Sequence, residues 1–253
     1  MYELNNFYNA DCMEAMRKFP DGYFELAICD PPYGIKAEGG TGKYGRLKFE
    51  SEKGKTWDAS IPPPEYFSEL FRVSKNQVIF GGNYFPLPPS RGFVVWDKGA
   101  GFKGRDFAEC EFAWTSFDRN ARIFSYDPLA GRDYVGKIHP TQKPVPLYKW
   151  ILKNYAQDGD KILDTHVGSA SSLIACHDYY FDFIGFEIDP DIYARAAARL
   201  EAVRSQIRLF DVDGAGGVLT IIKQEVKTMT GIIITVIICA TLAYIYTIGG
   251  KKK

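Results

Sequence analysis

The chain has 253 residues with 31 basic and 31 acidic side chains, so its formal net charge at pH 7 is zero. With 46% hydrophobic and 25% charged residues, its composition excludes a disordered chain and a protein that coats nucleic acid by charge alone. Its length suits one sizeable domain with an appendage. The five cysteines form no C-x-x-C pair, and residues 1–11 are polar, so we expect no zinc site, disulfide framework or signal peptide.

The first distinctive segment follows an apolar run, Phe24–Cys29, which predicts a short buried strand. Asp30, Pro31, Pro32 and Tyr33 come directly after it. Each proline fixes its own φ and restricts the residue before it, so the pair ends the strand and stiffens the turn. Ligands of open α/β sheets bind at the carboxyl ends of strands, and the segment therefore predicts a carboxylate, a rigid carbonyl and an aromatic ring at such an edge.

These residue types suit the binding of a planar base that carries an exocyclic amino group. The carboxylate of Asp30 and the carbonyl of Pro31 can each accept one N–H, which favours a tetrahedral nitrogen with its lone pair directed at an electrophile. The ring of Tyr33 can stack on a base that has left the duplex. The alternative is a proline-rich turn that only closes a strand.

Two basic, glycine-containing segments follow. Residues 36–55 predict a loop that contacts phosphate groups, although the acidic residues among them also fit a solvated loop without a ligand. Residues 98–122 begin with a second basic cluster, after a predicted strand at 92–96. The candidate DNA-contacting residues of these two segments are Lys36, Lys43, Arg46, Lys48, Lys98, Lys103 and Arg105.

The chain between residues 35 and 138 is expected to contribute mainly to the core. Tyr84, Phe85 and Trp114 are expected to be core residues rather than base-stacking ones. Little of the chain remains for a separate domain that would recognise a nucleic-acid sequence. We therefore expect the recognised sequence to be short. Core strands are predicted at 78–80, 93–96, 111–117 and 122–126, and helices further along at 145–156 and 191–208.

A second unit combines a strand, a loop and a helix. Lys161–Asp164 predicts the strand, the loop 165–170 contains Gly168, and residues 171–180 predict the helix. This order is typical of a nucleotide-type cofactor site, and Glu187, after the next strand, is placed to accept both hydroxyl groups of a ribose. The loop lacks the G-x-G-x-x-G pattern, so a structural βαβ unit with an incidental glutamate is the alternative.

In combination and in this order, three segments resemble the amino-methylating DNA methyltransferases that use S-adenosylmethionine. They are residues 30–33, residues 139–144 (His-Pro-Thr-Gln-Lys-Pro) and the loop 164–170. The catalytic segment precedes the cofactor segment, as in the permuted β class of that family. The resemblance covers about residues 5–211. It implies a Rossmann-like α/β fold with a mostly parallel sheet flanked by helices, S-adenosylmethionine as methyl donor, no metal, double-stranded DNA as substrate and, by analogy, a homodimer.

The resemblance also implies roles for individual residues. The segment Asp30, Pro31, Pro32 and Tyr33 would hold the target base and its amino group. Glu187 would bind the cofactor ribose and Ile188 its adenine, whereas residues 141–143 would reach its carboxylate or form only a helix-entry turn. The cofactor-binding candidates are Asp11, Cys12, Thr141, Lys143, Asp164, His166, Gly168, Ser169, Glu187 and Ile188.

The cofactor segment departs from the family pattern D-P-F-x-G-S-G at three positions. Thr165 replaces a proline, His166 an aromatic residue and Ala170 a glycine. We expect these changes to be sterically mild, so that cofactor binding is kept. Ala10 stands where the family usually has glycine, ahead of Asp11, which would contact the adenine amine of the cofactor.

The residue at the first position of the catalytic segment bears on the substrate. Adenine-N6 enzymes of the family usually carry Asp there, whereas cytosine-N4 members of the permuted class more often carry Ser. Asp30 therefore favours adenine N6, as in restriction–modification enzymes, with cytosine N4 as the alternative. Enzymes that methylate RNA or a protein glutamine more often carry Asn. A non-catalytic DNA-binding or membrane-tethered module is a further alternative, because the cofactor loop is altered.

The C-terminal part differs in composition from the rest. We expect a methyltransferase domain at 1–212, a glycine-rich linker at 213–227 and a hydrophobic tail at 228–253. Residues 228–250 carry no charge, their number is close to the ~20 needed to span a bilayer, and the three lysines after them favour a cytoplasmic C-terminus. We expect a cytoplasmic protein whose tail is a membrane span, a buried hairpin or a fused small protein that began at Met229.

Overall fold

The computed structural model describes residues 2–35, 58–105, 108–133, 136–139 and 141–206, with the backbone of 211–212 and 219–220. The chain divides into two compact units, Met1–Ser205 and Gln206–Lys253. In the second unit, two short strands pair antiparallel, β9 (Asp211–Val212) with β10 (Leu219–Thr220). The strand β10 lies within the segment predicted as a linker.

The first unit is a sheet of eight strands with helices on both faces, as the Rossmann-like prediction requires. Along the sheet the order is β1-β8-β7-β2-β3-β5-β4-β6. The first five strands are parallel, β5 is antiparallel to both of its neighbours, and β6 is parallel to β4. The strands are β1 (Asn6–Asn9), β2 (Phe24–Cys29), β3 (Ser74–Phe80), β4 (Phe93–Asp97), β5 (Cys110–Thr115), β6 (Arg122–Ser125), β7 (Lys161–Asp164) and β8 (Asp182–Glu187).

The strand β2 shows why the sheet is covered on both faces. Its side chains alternate between two cores, Leu26 and Ile28 on one side, Ala27 and Cys29 on the other. A strand buried on both faces needs a continuous apolar run rather than an alternating one, as this sequence has. The first core includes residues of α3, α4 and α5, and the second includes residues of α1 and α2. The helices are α1 (Cys12–Met16), α2 (Pro64–Val73), α3 (Val145–Tyr155), α4 (Ser171–Asp178) and α5 (Pro190–Arg204).

The predicted core elements are confirmed, with shifted ends. The strand predicted at 111–117 is Cys110–Thr115, and the helix predicted at 191–208 is Pro190–Arg204 in the described residues. Of the strands and α-helices of the first unit, three were not predicted, namely β1, α1 and α2. Two of these, β1 and α1, have only four and five residues, too few for a periodic pattern to be recognised.

In the described part of the chain, no helix is long and apolar enough to cross a membrane. The predicted span at 228–250 lies outside that part.

Candidate active site

The site lies where the connections of the sheet change direction. The strands β2 and β7 are parallel neighbours, yet the chain passes from β2 through α2 to β3 on one side and from β7 through α4 to β8 on the other. Such a switch point leaves an open crevice at the carboxyl ends of the strands. Three successive strands, β8, β7 and β2, end there: β8 in Glu187, β7 in Asp164, and β2 directly before Asp30.

Both carboxylate oxygens of Asp30 have partners. The hydroxyl group of Tyr33 donates a hydrogen bond to Oδ1 at 2.6 Å, and Nζ of Lys143 donates to Oδ2. The Asp30 side chain is 17% exposed. Burial raises the pKa of this carboxyl group, and the positive charge of Lys143 offsets part of the increase. The group is thus a desolvated acceptor whose two oxygens are held in fixed directions.

Lys143 links Asp30 to a second carboxylate. Its Nζ lies 3.1 Å from Oε2 of Glu111, whose Oε1 is 2.8 Å from Nζ of Lys98. Although burial opposes it, the two lysines lower the pKa of Glu111 to about 2. Burial lowers the pKa of Lys143, but the two carboxylates outweigh it and raise the pKa overall. We call Asp30, Lys143, Glu111 and Lys98 the ion-pair chain; it balances two negative and two positive charges.

Tyr33 is held on several sides. Its ring stacks on that of Tyr84, with ring centroids 5.0 Å apart and an angle of 14° between the planes. Its backbone N–H and that of Gly34 both donate to Oδ1 of the buried Asp58, at 2.7 and 2.8 Å. A Cβ on Gly81 would lie 2.2 Å from Tyr33 Cε1. These contacts fix the orientation of the hydroxyl group that holds Asp30.

Three predictions for this region need correction. Lys98 was predicted to contact DNA, but it is buried on Glu111 and beside the rings of Trp96 and Phe102. Lys143 was predicted at the cofactor carboxylate, whereas its ammonium group contacts Asp30. Tyr84 was expected in the core but is 43% exposed, while Phe85 and Trp114 are buried as predicted. Periodicity alone does not reveal which long side chains find a buried partner.

The end of β7 carries the loop that the sequence predicts to bind a cofactor. Asp164 is 2% exposed, accepts a hydrogen bond from the backbone N–H of His166 at 3.0 Å and another from the hydroxyl group of Ser172. Burial raises its pKa to about 7. Asp164 therefore fastens the following loop to α4 rather than lying open to a ligand.

The loop after Asp164 contains two residues with left-handed backbone. Gly168 has φ +54°, and Ala170 has φ +62°. For a residue with a Cβ this conformation costs about 1 kcal/mol or more, so the replacement of the family's glycine by Ala170 is not as mild as predicted. Ser169 between them is buried, and its carbonyl accepts a hydrogen bond from Arg199 at 2.6 Å, which holds the loop against α5.

Glu187 closes the other side of this loop. Its Oε2 accepts the backbone N–H of Gly168 at 3.0 Å, and its Oε1 accepts that of Asp189 at 3.0 Å. The next side chain, Ile188, is 67% exposed although it is apolar. An oriented carboxylate beside an exposed apolar side chain suits a ribose attached to a base. Burial raises the pKa of Glu187.

Asp11 and Cys12 come to the same edge because β1 pairs with β8, where Asn9 lies opposite Glu187. Asp11 caps α1, with its Oδ1 accepting the backbone N–H of Met13 at 2.7 Å. Burial raises the pKa of Cys12 to about 12, so its thiol is neutral. The structure thus places both residues near Glu187, with one oxygen of Asp11 already used by the helix.

His166 and Thr141 have partners within the protein. His166 Nδ1 is 3.0 Å from the Thr165 hydroxyl group, its ring packs edge-on against Tyr66, and burial lowers its pKa to about 4. Thr141 is exposed, and its hydroxyl group lies 3.0 Å from Nδ1 of His139. His166 is therefore neutral at pH 7 and makes its contacts within the protein.

Of the predicted DNA contacts, Lys103 and Arg105 are exposed. Lys36, Lys43, Arg46 and Lys48 lie outside the described residues. Among the residues described, no group of His, Cys, Asp and Glu side chains could hold a metal ion.

The residues that sequence reasoning missed are Glu111, Asp58 and the stacking partner Tyr84. Glu111 alternates with apolar residues in β5, a pattern that predicts a solvent-facing side chain. Only its pairing with lysines from two distant segments keeps it partly buried. Its single charge within an apolar strand was the available signal, and it does not distinguish a surface position from a buried ion pair.

The chain is similar to known DNA methylases. A family model for DNA methylases of the N6/N4 type matches residues 103–198. YubD of Escherichia coli (strain K12), which carries the name of a methylase, is 24% identical over 219 residues, covering 79% of this chain and 92% of YubD. The type II methyltransferase M2.MboI of Moraxella bovis is 22% identical over 239 residues, covering 72% of this chain and 82% of that protein.

The fold also matches a solved structure, that of the M1.HpyAVI–SAM complex. The TM-score is 0.50 at 20% identity, and the match covers 77% of this chain and 98% of the other. This match supports the Rossmann-like methyltransferase fold of the first unit. The family model and the two relatives support an amino DNA methyltransferase family of the N6/N4 type.

Proposed function

We propose that this protein transfers a methyl group from S-adenosylmethionine to N6 of adenine in double-stranded DNA. The observation that carries the proposal is the arrangement of Asp30 and Glu187 at the ends of strands separated by a single strand, β7. Neighbouring strands lie about 4.8 Å apart, so an acceptor for the target amine and an acceptor for a ribose face one crevice at roughly 10 Å.

The residues at the ends of β8 and β1 fit the adenosine part of the methyl donor. Glu187 is oriented by the backbone N–H groups of Gly168 and Asp189, which leaves its carboxylate fixed for two hydroxyl groups. Ile188 offers an exposed apolar surface for a base. Asp11 stands next to both at the same edge. In our proposal these residues hold the donor, with Gly168 and Ser169 in the adjoining loop.

When bound, S-adenosylmethionine supplies the methyl carbon, which forms a bond to the amino nitrogen as its bond to sulfur breaks. Asp30 accepts one N–H of the target amine and takes up the proton that the methylated nitrogen loses, directly or through water. The carbonyl of Pro31 accepts the second N–H, and Pro32 keeps the turn rigid. Tyr33 orients Asp30 through its hydroxyl group, and its ring is the proposed stacking surface for the base.

Asp30 supports adenine over cytosine, because permuted members of the family that act on cytosine N4 more often carry serine there. Cytosine N4 is the second candidate, because the family model includes methylases of both the N6 and the N4 type. Adenine and cytosine also present similar exocyclic amino groups. For the surface that meets DNA we propose Lys103 and Arg105. A homodimer, membrane contact through the tail and the domain limits at 212 and 228 stay predictions from the sequence.

The test is to incubate the purified chain with S-adenosylmethionine and unmethylated duplex DNA, and to identify modified nucleosides by mass spectrometry after digestion. Asp30→Ala is the informative variant, and Asp118→Ala, at a side chain 91% exposed, is the matched control. We expect N6-methyladenine from the wild type and the control and none from Asp30→Ala. N4-methylcytosine would reverse the choice of base, and no methylated base from a folded wild type would contradict the proposal.

A further inference from the structure

Glu111 has a buried oxygen atom, Oε2, whose contact with Lys143 is poorly aligned. Nζ of Lys143 lies 3.1 Å from Oε2 in an ion pair, but within the described residues no hydrogen bond of good geometry reaches this oxygen. The other oxygen, Oε1, is paired with Lys98. A buried acceptor without a hydrogen bond is costly and calls for an explanation.

Asp30 differs from Glu111 because each of its two carboxylate oxygens accepts a hydrogen bond. Tyr33 occupies Oδ1, and the ammonium group of Lys143 occupies Oδ2. A target amino group also donates to one of these oxygens. An ammonium group and an amino group are both N–H donors, so Lys143 competes with the substrate amine for Oδ2.

We propose that Glu111 is a positioning residue for methyl transfer, whose Oε2 takes over the ammonium group of Lys143 when the target amine replaces that group at Asp30. This inference rests on the proposed function, in which Asp30 receives the target amine. Glu111 touches neither base nor donor, and it acts only through Lys143.

Distance and charge favour such an exchange. Nζ of Lys143 already contacts both carboxylates, so it needs only to give up one contact and tighten the other. Lys98 stays on Oε1 of Glu111 throughout. The ammonium group also lies 4.6 Å from the centre of the Phe80 ring, which stabilises it at either carboxylate. No buried charge is left without a partner, which would otherwise cost several kcal/mol.

The charges around Asp30 bear on the pH dependence of the reaction. Among the described residues, titratable groups that interact with Asp30 come from four elements or loops: Tyr33 in its own turn, Lys143 and Tyr148 at α3, Glu111 in β5 and Asp164 at the end of β7. The negative charge of Glu111 raises the pKa of Asp30, and the positive charge of Lys143 lowers it. Removing the charge of Glu111 therefore moves the acid limb of the pH–rate profile to lower pH. Removing the charge of Lys143 moves it to higher pH.

The test compares Glu111→Gln, Lys143→Gln and the double variant with the wild type, using kcat/KM for DNA, its pH profile and the Kd for S-adenosylmethionine. In Glu111→Gln, Lys143 stays on Asp30. We expect kcat/KM for DNA to fall roughly ten- to a hundredfold, the Kd to stay within about twofold, and the acid limb to move to lower pH. In Lys143→Gln the acid limb moves to higher pH. Adding Glu111→Gln to that variant changes kcat/KM less than about twofold, since the residue acts through Lys143.

Several outcomes would overturn the inference. The first is an unchanged kcat/KM in Glu111→Gln, and the second is an acid limb that does not move in that variant. The third is an equal fall in kcat/KM when Glu111→Gln is introduced into the wild type and into Lys143→Gln. If Glu111→Gln does not fold, Glu111→Asp is tested in its place. This variant keeps the negative charge but shortens the side chain by one methylene group. We expect kcat/KM to fall about three- to tenfold and the acid limb to stay at the same pH. An inactive wild type would contradict the proposed function itself, whereas an active wild type with an indifferent Glu111 contradicts only this inference.

Discussion

Tyr33 packs so closely on Gly81 that a methyl group on the glycine would lie 2.2 Å from Cε1 of the ring. The glycine also has φ +67°, a backbone conformation that side chains disfavour. The end of β3 thus approaches the turn after β2 as closely as the chain allows. This contact, together with the stack on Tyr84, directs the Tyr33 hydroxyl group at Asp30.

Gly81→Ala tests whether that orientation matters for catalysis. Gly159→Ala is the matched control, because Gly159 has φ +87° but no atom of the described residues within 4 Å of its added Cβ. Both variants should lose about 1 kcal/mol from backbone strain, and Gly81→Ala about 1–3 kcal/mol more from overpacking. We expect the methylation rate to fall at least about tenfold in Gly81→Ala only. Equal rates and equal unfolding free energies in the two variants would show that Tyr33 tolerates displacement.

Glu187→Gln tests the ribose acceptor. Gln retains the shape and one acceptor oxygen but loses the negative charge, so a charge-assisted hydrogen bond to a ribose hydroxyl group is weakened. We expect the Kd for S-adenosylmethionine, measured by calorimetry, to rise about tenfold or more. Glu201→Gln on the exposed side of α5 is the control and should leave the Kd unchanged. A Kd that Glu187→Gln does not alter would remove this residue from the cofactor site.

Glu25→Gln tests an ion pair far from the crevice, at the amino end of β2. Burial raises the pKa of Glu25, but hydrogen bonds and charges from Lys161 and Lys75 outweigh it and lower the pKa to about 2, from 4.5. A depressed folded-state pKa stabilises the protein above the unfolded-state value, and the stabilisation is lost as pH falls through the folded-state value. The wild type should therefore lose stability between pH 4.5 and about 2.

In Glu25→Gln that part of the pH dependence should be absent, and the unfolding free energy at pH 7 should be lower by on the order of 1–2 kcal/mol. Glu14→Gln, at an exposed position of α1, is the control. Urea denaturation at several pH values measures the difference. Parallel curves for wild type and Glu25→Gln would mean that the two lysines contribute nothing to stability through this carboxylate.

Lys103→Ala and Arg105→Ala test the proposed DNA surface. Each should weaken binding to duplex DNA similarly for all sequences and reduce the slope of log K against log salt concentration by about 1. Lys153→Ala is the control, because this exposed residue ends α3, which leads to the amino end of β7. Fluorescence anisotropy at several salt concentrations gives the slopes. Slopes that match the control would exclude phosphate contact by these two residues.

Much of the fold followed from local patterns. The apolar run before Asp30, the glycine-containing loop after Asp164 and the proline at the start of α5 each act within a few residues, so periodicity and turn chemistry predicted the elements around them. The short elements β1 and α1 escaped because four or five residues carry no readable period. The strain at Ala170 also escaped, since its backbone angle depends on how the loop closes between β7 and α4.

The sequence by itself determined the candidates for the chemistry, namely Asp30 and Tyr33 after one strand and Glu187 after another. Only the tertiary structure decided which partners they have. Lys143 lies 113 residues beyond Asp30, and no local pattern could show that it pairs with this aspartate rather than with a cofactor. Pairings of this kind depend on the sheet order, which brings the ends of distant strands together, and on burial, which leaves a charged side chain no partner but another charge.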